Sequence, residues 1–173
     1  MEGNPFTQFV FQIFIFCAIL IIGYTCNFYY LAFLSSHRKD KNSVIEVGEP
    51  TITIQLPIYN EKYVATRLVD AVCQQDYPKD KMRIMVLDDS DDDTVETMSN
   101  TVKKYQSLGF DIEHVRRGTR NGYKAGALKH AMKSTDSEFV AIFDADFIPP
   151  NWYLKKAMPH FAKSNIGLVQ CRW

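Results

Sequence analysis

An α/β fold is the architecture this sequence predicts: a mainly parallel sheet flanked by helices, with one transmembrane helix ahead of it. Three observations carry the expectation. Residues 3–36 contain no charged side chain. From Thr51 onward, short β-branched runs alternate with segments of helical periodicity, the pattern of a sheet covered on both faces. Polar and acidic residues gather immediately after those runs, where open α/β sheets bind their ligands.

The charge-free stretch comes first. Phe9–Leu31 is dense in Phe, Ile and Leu, and as a helix it would span about 34 Å, enough for a hydrocarbon core of roughly 30 Å. A secretory signal would need a basic start, a short apolar run and a small-residue cleavage site. Here Glu2 precedes the run, the run is too long and no A-x-A follows. We therefore expect an N-terminal tail over 1–8, a transmembrane helix over 9–34, a linker over 35–50 and an α/β part over 51–173. Arg38, Lys39 and Lys41 follow the span and no Lys or Arg precedes it, which predicts a cytoplasmic α/β part in contact with a lipid bilayer. Tyr24, Tyr29 and Tyr30 suit an interfacial aromatic belt. The 20 basic and 20 acidic residues cancel, so nothing points to nucleic acid. The four cysteines form no C-x-x-C pair and read as reduced, structural thiols.

The α/β elements follow in order. Thr51–Leu56 is β-branched and short, a strand that Pro57 is expected to stop. Tyr63–Gln75 spaces Val64, Leu68, Ala71 and Val72 as a helix. Arg83–Leu87 is a second strand, and Thr94–Leu108 a helix closed by Gly109 at C′. Asp111–Val115 is a third strand. Tyr123–Lys133 is a helix with Ala127, Leu128 and Ala131 inward. Glu138–Phe143 is a buried fourth strand, Trp152–Ala162 a helix after Pro149-Pro150, and Ile166–Gln170 a fifth strand. The length is that of roughly one domain.

Function is concentrated at the strand ends. Asp144 and Asp146 lie i, i+2 at the end of the fourth strand, and on a strand residues two apart share a face. Two such carboxylates either begin a solvated loop or hold a hard divalent cation, Mg²⁺ or Mn²⁺, shared with substrate phosphates. Pro57-Ile-Tyr59-Asn60-Glu61 and Asp88-Asp89-Ser90 follow the first and second strands on the same edge. Opposite them, Arg116-Arg-Gly-Thr-Arg-Asn-Gly-Tyr-Lys124 forms a basic, glycine-containing loop opening a helix, a setting that suits phosphate. Carboxylates for a metal beside a cationic loop are what a nucleotide-diphosphate substrate requires. No G-x-x-x-x-G-K-[ST] or G-x-G-x-x-G occurs. Asp89–Asp93 lacks the glycine of an EF-hand loop, and Asp91–Asp93 read as a helix N-terminus complementing the dipole. His37, His114, His130 and His160 have no metal-ligand spacing and are expected to pack or face solvent.

Gln55-Leu-Pro-Ile-Tyr-Asn-Glu61, Val86-Leu-Asp-Asp-Ser90, Arg120-Asn-Gly-Tyr-Lys-Ala-Gly-Ala-Leu128 and Phe143-Asp-Ala-Asp146 together resemble the family-2 glycosyltransferases, in particular their membrane-bound cellulose-synthase-like and mannan-synthase-like members. The resemblance covers about 51–173. It implies a GT-A fold and a UDP- or GDP-hexose donor, with a hexosyl unit transferred with inversion to a growing polysaccharide or other glycan acceptor. It also implies roles: Pro57, Tyr59 and Glu61 at the nucleoside, Asp88 and Asp89 near base and ribose, Lys124 at the diphosphate, and Asp144 and Asp146 on the metal. The family's general base lies well beyond the D-x-D, and no Asp or Glu follows Asp146. Gln170-Cys-Arg-Trp173 echoes the family's Q-x-x-R-W but is one residue short and too close to the D-x-D. No catalytic base is therefore assigned, and the chain is expected to be the donor-binding part of a longer enzyme, inactive by itself. The alternative is a nucleotide-sugar-binding or regulatory membrane protein without catalysis.

Overall fold

A computed structural model describes residues 4–37, 48–162 and 165–171. The chain divides into two units, Met1–Ser43 and Val44–Trp173.

Among its described residues the first unit holds one helix, α1 (Pro5–His37). Its start is specified locally: Pro5 occupies the first turn, and the Phe6 N–H donates to Asn4 Oδ1 at 3.0 Å, an N-cap arrangement. With 33 residues it extends about 50 Å, longer at both ends than the expected 9–34. None of its residues is buried, and it is long and apolar enough to cross a membrane. In mid-span, Thr25 Oγ1 donates back to the Ile21 carbonyl at 2.8 Å, so its hydroxyl hydrogen is met within the helix. Residues 35–37 of the expected linker belong to α1, and residues 38–47, with Arg38, Lys39 and Lys41, lie outside the described residues.

Among the described residues the second unit holds four parallel strands: β1 (Ile52–Ile58), β2 (Met82–Asp88), β3 (Asp111–Val115) and β4 (Phe139–Ile142). Their order is β3-β2-β1-β4. The helices are α2 (Lys62–Cys73), α3 (Thr94–Ser107), α4 (Tyr123–Ala131) and α5 (Tyr153–Ala157). Successive crossovers through α2 and α3 carry the chain one way along the sheet. The crossover through α4 then jumps back past β1, so its helix lies on the other face. Two cores result. Ile52, Ile54, Leu56, Ile84 and Val86 pack with Leu68, Val69, Val72, Met98 and Val102 on the α2/α3 face. Met85 and Leu87 pack with Ala127 and Ala131 on the α4 face. The reversal between β1 and β4 creates a crevice at their carboxyl ends.

Several expectations need correction. Pro57 does not end β1; it pairs with Leu87 in the ladder to β2. Its missing N–H falls on the side facing β4, and β4 pairs with β1 only as far as Gln55, so no partner is deprived. β4 is not a buried strand: it lies at the sheet edge and Ile142 is 49% exposed. The expected fifth strand is absent among the described residues. Residues 166–171 have no regular structure and Leu168 is 80% exposed. A cavity of about 400 Å³ lies between that segment, α5 and the free side of β4, in place of a backbone ladder. The helices expected over 123–133 and 152–162 each finish in a 3₁₀ turn, Met132–Ser134 and Met158–Ala162. Gly109 does close α3, with φ +82°, its N–H on the Gln106 carbonyl at 3.0 Å and that of Phe110 on Tyr105 at 3.1 Å.

Candidate functional site

The loops after β1 and β2 are tied together by short-range polar chemistry. Asn60 sits at φ +53°, a left-handed conformation that Asn tolerates better than most residues. From there its N–H reaches Ser90 Oγ at 2.9 Å, its Nδ2 reaches Asp91 Oδ1 at 2.8 Å, and its Oδ1 accepts the Asp91 N–H at 3.1 Å. Asp92 Oδ1 accepts the Thr94 N–H at 2.9 Å at the start of α3, and Asp93 pairs with Lys62 at 3.1 Å. Of the acidic run, Asp92 alone meets an N–H at the start of α3, while Asp91 and Asp93 tie it to Asn60 and Lys62.

Asp88, the last residue of β2, has a wholly buried side chain. His114 Nε2 lies 2.8 Å from its Oδ2, and the Ser90 N–H donates to its Oδ1 at 2.9 Å. Burial pushes this carboxyl up, but the hydrogen bonds from His114 and Ser90 outweigh it and hold the pKa below the ordinary Asp value. His114 was expected to pack or face solvent. The β2–β3 register pairs it with Val86, two residues from Asp88, and that proximity appears only once the strands are aligned.

Asp89 is engaged as fully. Arg117 Nε and Nη2 meet its two oxygens at 2.7 and 2.5 Å, a bidentate fork. The side chains are 10% and 8% exposed. The same guanidinium donates to the Asn121 carbonyl at 2.7 Å and the Tyr123 carbonyl at 2.8 Å. Gly122 precedes α4 at φ +72°, and a Cβ on Gly126 would stand 2.0 Å from the Asn121 oxygen. Both glycines are thus required by the winding of the loop. That winding presents Lys124 on the first turn of α4, and its ammonium contacts Asp144 Oδ1.

The D-x-D follows β4 as a turn, with the Phe147 N–H on the Asp144 carbonyl at 2.9 Å. The strand ladder that was expected to align the two carboxylates has already ended. Burial nevertheless keeps alternating, since Phe143 and Ala145 are buried while Asp144 and Asp146 are exposed, so both carboxylates remain on the solvent side. The turn is anchored from behind by buried Gln75, whose Nε2 donates to the Pro150 carbonyl at 2.8 Å and whose Oε1 accepts from the Leu154 N–H at 3.3 Å. Glu61 faces the pair. Burial first, then the charges of Asp146 and Asp144, push its carboxyl above the ordinary value. Among the described residues no three or more His, Cys, Asp or Glu side chains are gathered to enclose an ion. This donor set of exposed hard oxygens fits Mg²⁺ or Mn²⁺ held by one or two carboxylates, with other positions taken by water or phosphate.

Tyr59 and Arg120 complete the site. The Arg120 guanidinium stacks 3.3 Å from the Tyr59 ring centroid and 5.1 Å from that of Tyr123. Tyr59, Asp89 and Arg120 line both of two adjoining cavities. One, about 250 Å³, adds Asp88, Ser90, Arg116 and Arg117. The other, about 120 Å³, adds Pro57, Glu61 and Lys124. The structure thus brings Pro57, Tyr59, Glu61, Asp88, Asp89, Lys124 and Asp144 to one sheet edge, with Asp146 two residues on.

Known proteins resemble this chain in sequence and in fold. A probable glucomannan 4-beta-mannosyltransferase 10 of Arabidopsis thaliana is 42% identical over 137 residues, which are 75% of this chain and 25% of that protein. A probable glucomannan 4-beta-mannosyltransferase 15 of the same plant is 41% identical over 129 residues, 72% of this chain and 24% of that protein. The chain therefore spans about a quarter of the length of these relatives. Among solved structures, mannosyltransferase PcManGT from Pyrobaculum calidifontis, in complex with GDP-Man and Mn²⁺, superposes with a TM-score of 0.72 at 28% identity, over 84% of this chain and 42% of that one. S. aureus TarS in complex with UDP-GlcNAc gives 0.55 at 27% identity, over 62% of this chain and 30% of that one. The sheet is the GT-A type, and the profile of Glycosyl transferase family 2 matches residues 53–173: the chain belongs to that family.

Proposed function

We propose that this chain is the donor- and metal-binding part of a membrane-anchored glycosyltransferase that moves a hexosyl unit, with inversion, from a nucleotide-diphosphate sugar to a growing β-linked polysaccharide or other glycan acceptor. Mannose from GDP-mannose is the donor we favour, because relatives above 40% identity are named as mannosyltransferases and PcManGT is complexed with GDP-Man. The single observation that carries the reading is the contact of Lys124 with Asp144, which joins the cationic loop to the D-x-D at the crevice between β1 and β4.

In this reading the nucleoside lies in the larger cavity against Tyr59, Asp88 and Arg116. The diphosphate lies where Lys124 and the α4 N-terminus supply cationic and N–H donors. Asp144 and Asp146 hold the Mg²⁺ or Mn²⁺, with Glu61 adjacent. The metal, when bound, would neutralise charge on the departing diphosphate. The chain's own residues orient the donor: Arg117 fixes the basic loop, and Gln75 fixes the D-x-D turn. Deprotonation of the acceptor hydroxyl requires a base. Asp88, Asp89 and Asp144 are each already paired, and the sequence has no Asp or Glu after Asp146. General-base help is worth about 10²–10⁴-fold, so these 173 residues bind donor but transfer poorly. We place α1 in the bilayer and the α/β unit in the cytoplasm.

The test is an assay of the 173-residue chain with GDP-mannose, UDP-glucose and mannan or glucan oligosaccharides, beside a longer form that adds the next Asp-containing segment. Transfer by the longer form at least about 10²-fold faster is expected. Equal transfer by the short chain would overturn the assignment of the base.

A further inference from the structure

We infer that α1 carries a self-association face, on which Gln12, Gly23 and Asn27 meet the same residues of a second copy of this chain inside the bilayer. The inference rests on the reading of α1 as a membrane anchor. Apart from cysteines and tyrosines, the polar side chains between Phe9 and Leu31 are Gln12, Thr25 and Asn27. Thr25 meets its own need within the helix, at the Ile21 carbonyl. The carboxamides of Gln12 and Asn27 are exposed and have no hydrogen-bond partner among the described residues. They stand 15 residues apart on α1, about 22 Å along its axis, so both fit within a hydrocarbon core of roughly 30 Å centred on the apolar run. Lipid offers a carboxamide nothing to bond, and such groups turn toward another helix.

The two groups share a side. At 100° per residue, Gln12, Phe16, Ile19, Gly23 and Asn27 fall within about 80° of arc, while Thr25 lies about 160° from Gly23. Gly23 is independent support. A Cβ there would meet nothing within 4 Å, so the packing of this chain does not require glycine, which costs a helix about 1 kcal/mol against alanine. What a bare backbone permits at that point is the close approach of another helix. A second copy fits best. It inserts in the same orientation, so a two-fold pair sets each group opposite its own kind at its own depth. Carboxamides both donate and accept, which makes Gln12 and Asn27 complementary to themselves. No charged residue lies between 3 and 36 to repel its counterpart.

The test uses the full chain in phosphatidylcholine vesicles. Energy transfer between labelled copies is followed as lipid is added, and resistance to alkaline extraction establishes insertion. Q12L and N27L should each weaken association about three- to tenfold, the range of one interhelical hydrogen bond. G23I, which holds the backbones apart, should weaken it at least as much, and T25V should leave it unchanged. The exposed cysteines of α1 give a second readout: Cys26 lies about 40° from Gln12 around the helix and Cys17 about 140°. Copper phenanthroline in air should therefore yield a disulfide-linked dimer that C26S loses and C17S keeps. An inserted chain that stays monomeric, association indifferent to Q12L, N27L and G23I, or a cross-link lost in C17S rather than C26S would each overturn the inference. Failure of the unsubstituted chain to insert is a separate result, rejecting the membrane-anchor reading and the inference built on it.

Discussion

Replacing Gly126 by alanine adds one methyl group at the tightest point of the site. Its Cβ would stand 2.0 Å from the Asn121 carbonyl oxygen and 2.5 Å from Arg117 Nη1, so the loop must part from α4 by about 1.4 Å to reach ordinary contact at 3.4 Å. Gly126 lies inside α4, where alanine would otherwise gain about 1 kcal/mol in helix propensity. Overpacking against backbone costs about 1–3 kcal/mol, and the Asn121 oxygen cannot swing aside as a side chain would. The net expectation is a loss of up to about 2 kcal/mol, seen as a fall of up to roughly 7 °C in melting temperature, together with weaker GDP binding because Lys124 moves with the loop. Calorimetric unfolding and GDP titration in the presence of Mn²⁺ measure both. A variant more stable by about 1 kcal/mol, with unchanged GDP affinity, would refute the close packing of loop and helix.

Three further outcomes are expected. The depressed pKa of Asp88 makes its ionised form a stabilising element: that stability is present above the unfolded value of 3.8 and is lost as pH falls through the lower folded value. H114A should therefore flatten the acid limb of a denaturation-against-pH profile, and an unaltered limb would argue against the His114–Asp88 pair. R120A should change unfolding free energy by less than about 1 kcal/mol, as for an exposed cation–π contact, yet weaken GDP, since Arg120 borders both cavities; calorimetry separates the two. A reporter fused after residue 173 should be cytoplasmic, and an external signal would reject the orientation read from Arg38, Lys39 and Lys41.

Much of the α/β unit was legible from sequence because the buried strands β1 and β2 are largely apolar and their helices keep a clear period. Asp111–Val115 and the Gly109 closure of α3 needed only local rules. What failed depended on neighbours. Pro57 is tolerated because β4 stops at its pairing with Gln55, which no local rule reveals. The apolar run at residues 166–170 could not be distinguished from a strand without knowing that it makes no ladder with β4. At the site, motif residues were found because strand ends announce themselves. His114 and the Arg117 fork were missed in role because their partners, Asp88 and Asp89, lie 26 and 28 residues away in sequence and meet them only through the β2–β3 register. Arg120 was visible as a basic residue, but its place on the Tyr59 ring was not.

The central claim is that the D-x-D and the α4 loop form one metal-dependent nucleotide site. Titration of GDP into the full chain with and without Mn²⁺, for the unsubstituted protein and for Asp146→Ala, tests it most directly. GDP binding should require Mn²⁺ in the former and lose that requirement, with most of the affinity, in the latter. Metal-dependent GDP binding unchanged by Asp146→Ala would contradict it.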